Sequence, residues 1–169
     1  MTIYQWLESD GGPLLVLSRD TLGSWGGADG DPGPTMDWGD YGRACSIGGY
    51  IGLVPVGKVD GLVLGDLPAP TTFLPAHNLF LRWVAADTEE EIVAAAEQAL
   101  AIGVAWEAPE DLEWNVEGPL ILFDSAARGN DLAEDDRLTV DIDSGEYCVR
   151  VAYLECGDNC MILVQLKRL

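Results

Sequence analysis

Apolar residues in this chain come in short bursts. Tyr50–Val56, Gly61–Leu64 and Thr71–Leu74 are apolar or β-branched runs, each cut by Gly, Pro or Asp, and such punctuation marks strands. Leu79-Phe-Leu-Arg-Trp-Val84 alternates with period two, placing Leu79, Leu81 and Trp83 on one face and Phe80, Arg82 and Val84 on the other. Residues 3–7 and 13–17 read as strands around the Asp10–Pro13 turn. Strands at 112–116, 119–123, 138–142, 146–154 and 161–166 are predicted on the same grounds, the last two as a hairpin through Glu155–Cys160. Helical spacing is strongest in one place. Thr88 with Glu91 three residues on makes a capping box, and Ile92, Val93, Ala96, Ala99 and Leu100 form an apolar stripe. Gly103 ends that helix, predicted over 88–102. Ser18 is placed to cap a brief helical turn through Leu22.

The pattern also echoes itself. Trp6-Leu-Glu-Ser-Asp-Gly-Gly-Pro-Leu-Leu-Val-Leu17 is answered by Trp114-Asn-Val-Glu-Gly-Pro-Leu-Ile-Leu-Phe123. Gly48-Gly-Tyr-Ile-Gly-Leu-Val-Pro-Val56 is answered by Gly145-Glu-Tyr-Cys-Val-Arg-Val151. Repeats of this kind are signatures of paired supersecondary units. They predict one mostly-β (α+β) domain over 1–169, sandwich-like or barrel-like. Two related antiparallel halves, about 1–86 and 104–169, are joined by the helix. Coincidence is the competing explanation, because Gly-Pro and Gly-x-Tyr are common strand punctuation.

Composition adds an unusual charge to an ordinary globular chain. Of 169 residues, 29 are Asp or Glu and 9 are Lys or Arg, a formal net of −20. Nucleic acid and anionic membranes demand a basic face and are not expected partners. A basic protein partner, reached by electrostatic steering, is. Host-wide acidity is the alternative source of the charge. The N-terminus lacks the basic-then-apolar pattern of a secretory signal, and no run approaches the length of a membrane span, so the expected location is cytoplasmic. There Cys45, Cys148, Cys156 and Cys160 are expected to be reduced.

Chemistry-bearing motifs are sparse. Cys156-Gly-Asp-Asn-Cys160 offers two thiols, but zinc needs three or four ligands and His77 is the sole histidine. The stretch Asp29–Asp40 imitates a calcium loop but holds Pro34 where that loop needs Gly and Asp40 where it needs Glu. Ser125 stands at a strand end without a Gly-x-Ser-x-Gly elbow. No metal, cofactor or catalytic residue is therefore expected, and the chain reads as a binding protein.

Acids and aromatics interleave in the Gly- and Pro-rich loop 26–43, whose composition argues against helix. Asp29, Asp31, Asp37, Trp38, Asp40 and Tyr41 are the first-choice contact residues, since buried aromatics anchor interfaces and flanking acids steer them. Equally, Trp25 and Trp38 serve as staples holding the loop to its own core. A second acidic loop supplies Asp131, Glu134, Asp135 and Asp136. A third stretch, Trp83 to Ala127, holds eleven acids and no Lys or Arg.

The ordered set Trp6–Leu17, Asp40-Tyr-Gly-Arg-Ala-Cys45, Gly49–Gly57, Val63-Leu-Gly-Asp66, Arg82-Trp83, Gly118–Ala126 and Leu166–Leu169 resembles the immunity protein 21 family. The likeness runs in order over nearly the whole chain. It implies a bacterial, cytosolic, mostly-β immunity protein of a polymorphic toxin system, which binds a cognate toxin and blocks it without catalysis. A basic nuclease toxin would suit the charge. The alternatives are an acidic housekeeping interaction module and an enzyme using carboxylates such as Asp124 and Glu117.

Overall fold

The computed structural model describes residues 2–28, 38–65, 67–107 and 111–169. Among these residues ten strands form two antiparallel five-stranded sheets packed face to face as a sandwich, not a closed barrel. The first sheet has the order β2(Ile51–Val56), β3(Val59–Leu64), β1(Leu14–Ser18), β7(Leu120–Asp124), β8(Arg137–Val140). The second has the order β4(Thr71–Leu74), β5(Leu79–Ala85), β10(Asn159–Arg168), β9(Gly145–Cys156), β6(Leu112–Val116). The two echoed Gly-Pro strands meet directly. β1 and β7 are neighbours, with Val16 opposite Leu122. The β2–β3 hairpin extends the same sheet, whereas the β9–β10 hairpin builds the other one.

Side-chain parity sorts the core into layers. Leu14, Val16, Leu62, Leu64, Leu120 and Leu122 face the second sheet, where they meet Phe80, Val149, Val151, Ile162 and Val164. Their chain neighbours Leu15, Leu17, Val63, Ile121 and Phe123 face outward into a second apolar layer. On the far side Leu79, Leu81, Met161 and Leu163 face outward under α2(Glu89–Ile102), which contributes Ile92 and Ala96. Central strands are thus buried on both faces, which explains runs such as Leu14–Leu17 with no polar alternation.

The helix starts as predicted. Thr88 caps it and accepts a hydrogen bond from Glu91 N at 3.2 Å, and Gly103 ends it with φ of 117°. Arg82, on the core side of β5, is fully buried and ties down the loop before β4. It donates to the carbonyls of Gly65 (2.8 Å) and Leu67 (2.6 Å) and to Thr71 Oγ1.

Several expectations are corrected. Residues 3–7 form no strand beyond a single Leu7–Thr71 bridge. Side chains hold this segment instead: Glu89 Oε1 accepts from Tyr4 N and Trp6 Nε1, and Gln5 donates to the Arg137 carbonyl. Ser18 provides no side-chain cap; Thr21 Oγ1 donates back to its carbonyl within a 3-10 turn over Arg19–Ser24. A helix does form at the end of the Gly- and Pro-rich loop, α1(Gly39–Cys45). Its residues lie beyond the last proline, and Ala44 packs it onto the first sheet. The β9–β10 turn is shorter than expected, only Gly157-Asp158, with Gly157 at φ of 62°, the residue order of a type II′ hairpin. Cys156 and Cys160 therefore sit in strands opposite Asn159 and Glu155, and all four cysteines are free thiols.

Candidate functional site

The outer face of the first sheet is too apolar to meet water, and a cap of irregular chain covers it. The cap comprises residues 19–28, α1 with Ile47, and the segment 126–132. Both acidic loops singled out in the sequence belong to this cap or flank it.

Trp25 is its keystone. Only 1% exposed, the ring fills the outer apolar layer, and Nε1 donates to the Ser125 carbonyl at 2.8 Å. Its own carbonyl accepts from Gly129 N at 3.0 Å. The Arg43 guanidinium lies over the ring, 5.4 Å from its centroid. One alternative left open by the sequence is thereby settled for Trp25, which staples the cap to the core.

Two glycines allow the cap segments to lie flush. Gly27 has φ of 65°, and a Cβ there would sit 2.6–2.7 Å from the Ala126–Ala127 backbone. At Gly129 a Cβ would run into the Leu22 carbonyl. Ala28 N donates to the Ala126 carbonyl at 3.0 Å, so the start of the first acidic loop is joined by backbone to the segment that leads into the second.

Asp40 is committed to this framework. Oδ2 accepts from Gly26 N at 2.8 Å, while Oδ1 accepts from Arg43 Nη2 at 2.8 Å and Nε at 3.2 Å. Arg43 Nη1 in turn donates to the Pro55 carbonyl on edge strand β2 at 2.7 Å. Tyr41 lies beside Gly12 and stacks on Trp38, with centroids 5.6 Å apart and planes 7° from parallel. Burial, followed by the Cys45 hydrogen bond and the charges of Cys45 and Asp124, pushes the Tyr41 phenol up to about 12. It is a neutral hydrogen-bonding group at any physiological pH. Trp38 is half-buried, and its Nε1 has no hydrogen-bond partner among the described residues.

Asp131, Glu134, Asp135 and Asp136 are all exposed. Two 3-10 turns, Gly129–Asp131 and Glu134–Asp136, hold them with half-buried Leu132 between. Asp40 and Tyr41 lie on α1, whose Ala44 shares the outer apolar layer with Leu132 at the base of this second loop, and Trp38 stacks on Tyr41. Asp29, Asp31 and Asp37 lie outside the described residues.

Ser125 is fully buried, and its Oγ donates to the Pro13 carbonyl at 2.5 Å. Asp124 accepts from Asp10 N and Ala126 N, both at 3.0 Å. Both side chains lock the cap's edge to the start of β1. Arg43, Gly27 and Gly129 were not foreseen. Gly27 and Arg43 stand near aromatics in the sequence, a pattern too common to read, and Gly129 has no aromatic neighbour at all.

Residues 5–160 match the family model for immunity protein 21. No curated protein and no solved structure matches the chain.

Proposed function

The chain belongs to the immunity protein 21 family, and from that premise we propose that it binds and neutralises one cognate bacterial toxin by direct contact in the cytoplasm. The match over residues 5–160 carries this reading, because it spans the cap, the whole first sheet and four of the five strands of the second. The net charge of −20 favours a basic toxin. A nuclease is the leading class, since enzymes that grip phosphates are basic and an acidic protein can occupy the same surface. The proposed interface is the cap, with Trp38 and Tyr41 as aromatic anchors and Asp131, Glu134, Asp135 and Asp136 as the steering rim. Asp29, Asp31 and Asp37 are further proposed contact residues, on the ground of their charge alone. Asp40 contributes by holding α1 in place through Gly26 and Arg43.

The test is co-expression with the C-terminal domain of the toxin encoded beside this gene. Rescue of growth and a co-purifying complex are expected; toxicity without rescue overturns the reading. In the purified complex, replacing Asp131, Glu134, Asp135 and Asp136 by their amides is expected to slow association and flatten its salt dependence. An unchanged association rate would move the interface elsewhere.

A further inference from the structure

The opposite side of the sandwich carries a second surface that the toxin reading does not use. α2 lies on the outer face of the second sheet, whereas the cap lies on the outer face of the first. Between the helix and the N-terminal segment runs a groove of about 310 Å³. Ile3, Tyr4, Val93 and Ala94 supply its apolar wall, and Glu89, Glu90 and Glu97 supply its acids. Ile3 is 86% exposed beside the groove, and Ile102, at the other end of the helix, is 78% exposed. Of these two, only Ile3 lines the groove, where its side chain stands in water beside Val93 and Ala94.

The charge of the groove is one-sided. No Lys or Arg occurs from Trp83 to Ala127, so the helix carries no cation of its own. Glu89 accepts two N–H bonds at one oxygen, from Tyr4 N at 3.3 Å and Trp6 Nε1 at 2.8 Å. Those donors are neutral, so they fix the carboxylate's position and leave its charge in place. Glu90 and Glu97 are exposed. An apolar trough walled by carboxylates matches one kind of side chain: a long aliphatic stem with a cationic head. Arginine fits best, because its planar fork takes carboxylates bidentately and is less strongly hydrated than an ammonium.

We infer that the groove between α2 and residues 2–4 is a docking site for an arginine side chain presented by a second protein partner, which can be bound while the cap is occupied. The stem lies along Ile3, Val93 and Ala94, and the guanidinium reaches Glu90 and Glu97. This assignment is independent of the family's toxin-binding role.

The experiment is an amide-resolved NMR titration of the full chain with N-acetyl-arginine-N-methylamide, with N-acetyl-norleucine-N-methylamide as the uncharged control. Saturable shifts concentrated at residues 2–4 and 89–97 are expected for the arginine probe and not for the control. A Glu90→Gln/Glu97→Gln variant should bind about fivefold more weakly, the combined worth of two exposed ion pairs. Asp111→Asn/Glu113→Gln, at exposed acids beside and on edge strand β6, should leave the affinity unchanged. Both variants change exposed side chains and should show wild-type amide dispersion. Shifts spread over every acidic loop, or a Glu90→Gln/Glu97→Gln affinity equal to wild type, would overturn the assignment.

Discussion

Single residues in the cap carry unusual weight because each joins several segments. Trp25 fills the outer layer, donates to the Ser125 carbonyl, accepts from Gly129 and underlies Arg43. Trp25→Ala should cost about 3–5 kcal/mol, the range for deleting a large buried aromatic. Equilibrium urea denaturation would read this as a lower midpoint. Tyr41 gives a pH signature. Its folded value of about 12 lies above the ordinary tyrosine value of about 10. A raised tyrosine contributes stability that is complete below the unfolded value and is lost as pH rises from there through the folded value. Wild type should therefore weaken between pH about 10 and about 12, and Tyr41→Phe should remove part of that alkaline loss. Tyr153 is raised as well, by desolvation and then by its hydrogen bond to Cys160. An alkaline profile identical in Tyr41→Phe and wild type would contradict the packing described for Tyr41.

At the scale of elements, α2 is the part that local rules specify most fully. Thr88 accepts from Glu91 N, Glu89–Glu91 occupy the positive end of the dipole, and Gly103 closes the helix. Thr88→Ala should cost about 1 kcal/mol, seen as a lower urea midpoint at unchanged m-value. The cap has no such internal support, since its turns are short and depend on close approach. Gly129→Ala should destabilise by more than the loss of a cap residue, because the new Cβ meets the Leu22 carbonyl and neither backbone can retreat. A midpoint within error of wild type would show that the 129–132 turn shifts freely.

For the whole molecule, charge is the dominant global property. A net of −20 on 169 residues makes self-repulsion a destabilising term. Only two ion pairs occur among the described residues, Asp40–Arg43 and the 4.0 Å Asp143–Arg168 contact. Raising ionic strength from about 0.01 M to about 0.15 M shortens the screening length roughly fourfold, so the melting temperature should rise with salt. A flat or falling melting temperature would mean that repulsion is not a significant term. The same screening should weaken a steered toxin complex, so stability and binding are expected to respond to salt in opposite directions.

The sequence alone determined the features that rest on local chemistry. These are the β-rich pattern, the strand positions from 50 onward, the capped helix, the β-hairpin near the C-terminus, the charge and the family likeness. Residues such as Thr88, Gly103 and Gly157 act on neighbours within a few positions, so their meaning is readable in one dimension. Tertiary structure decided the rest. The apolar run Leu14–Leu17 does not say which residues face the second sheet, and only pairing with β3 and β7 assigns Leu14 and Val16 inward and Leu15 and Leu17 to the cap. Residues 3–7 look like a strand, yet Glu89, over eighty positions away, takes their hydrogen bonds. Trp25 and Ser125 are a hundred residues apart and mean little until β1 and β7 lie side by side. Long-range pairings of this kind depend on which surfaces meet, and a linear pattern of apolar and polar residues does not encode that choice.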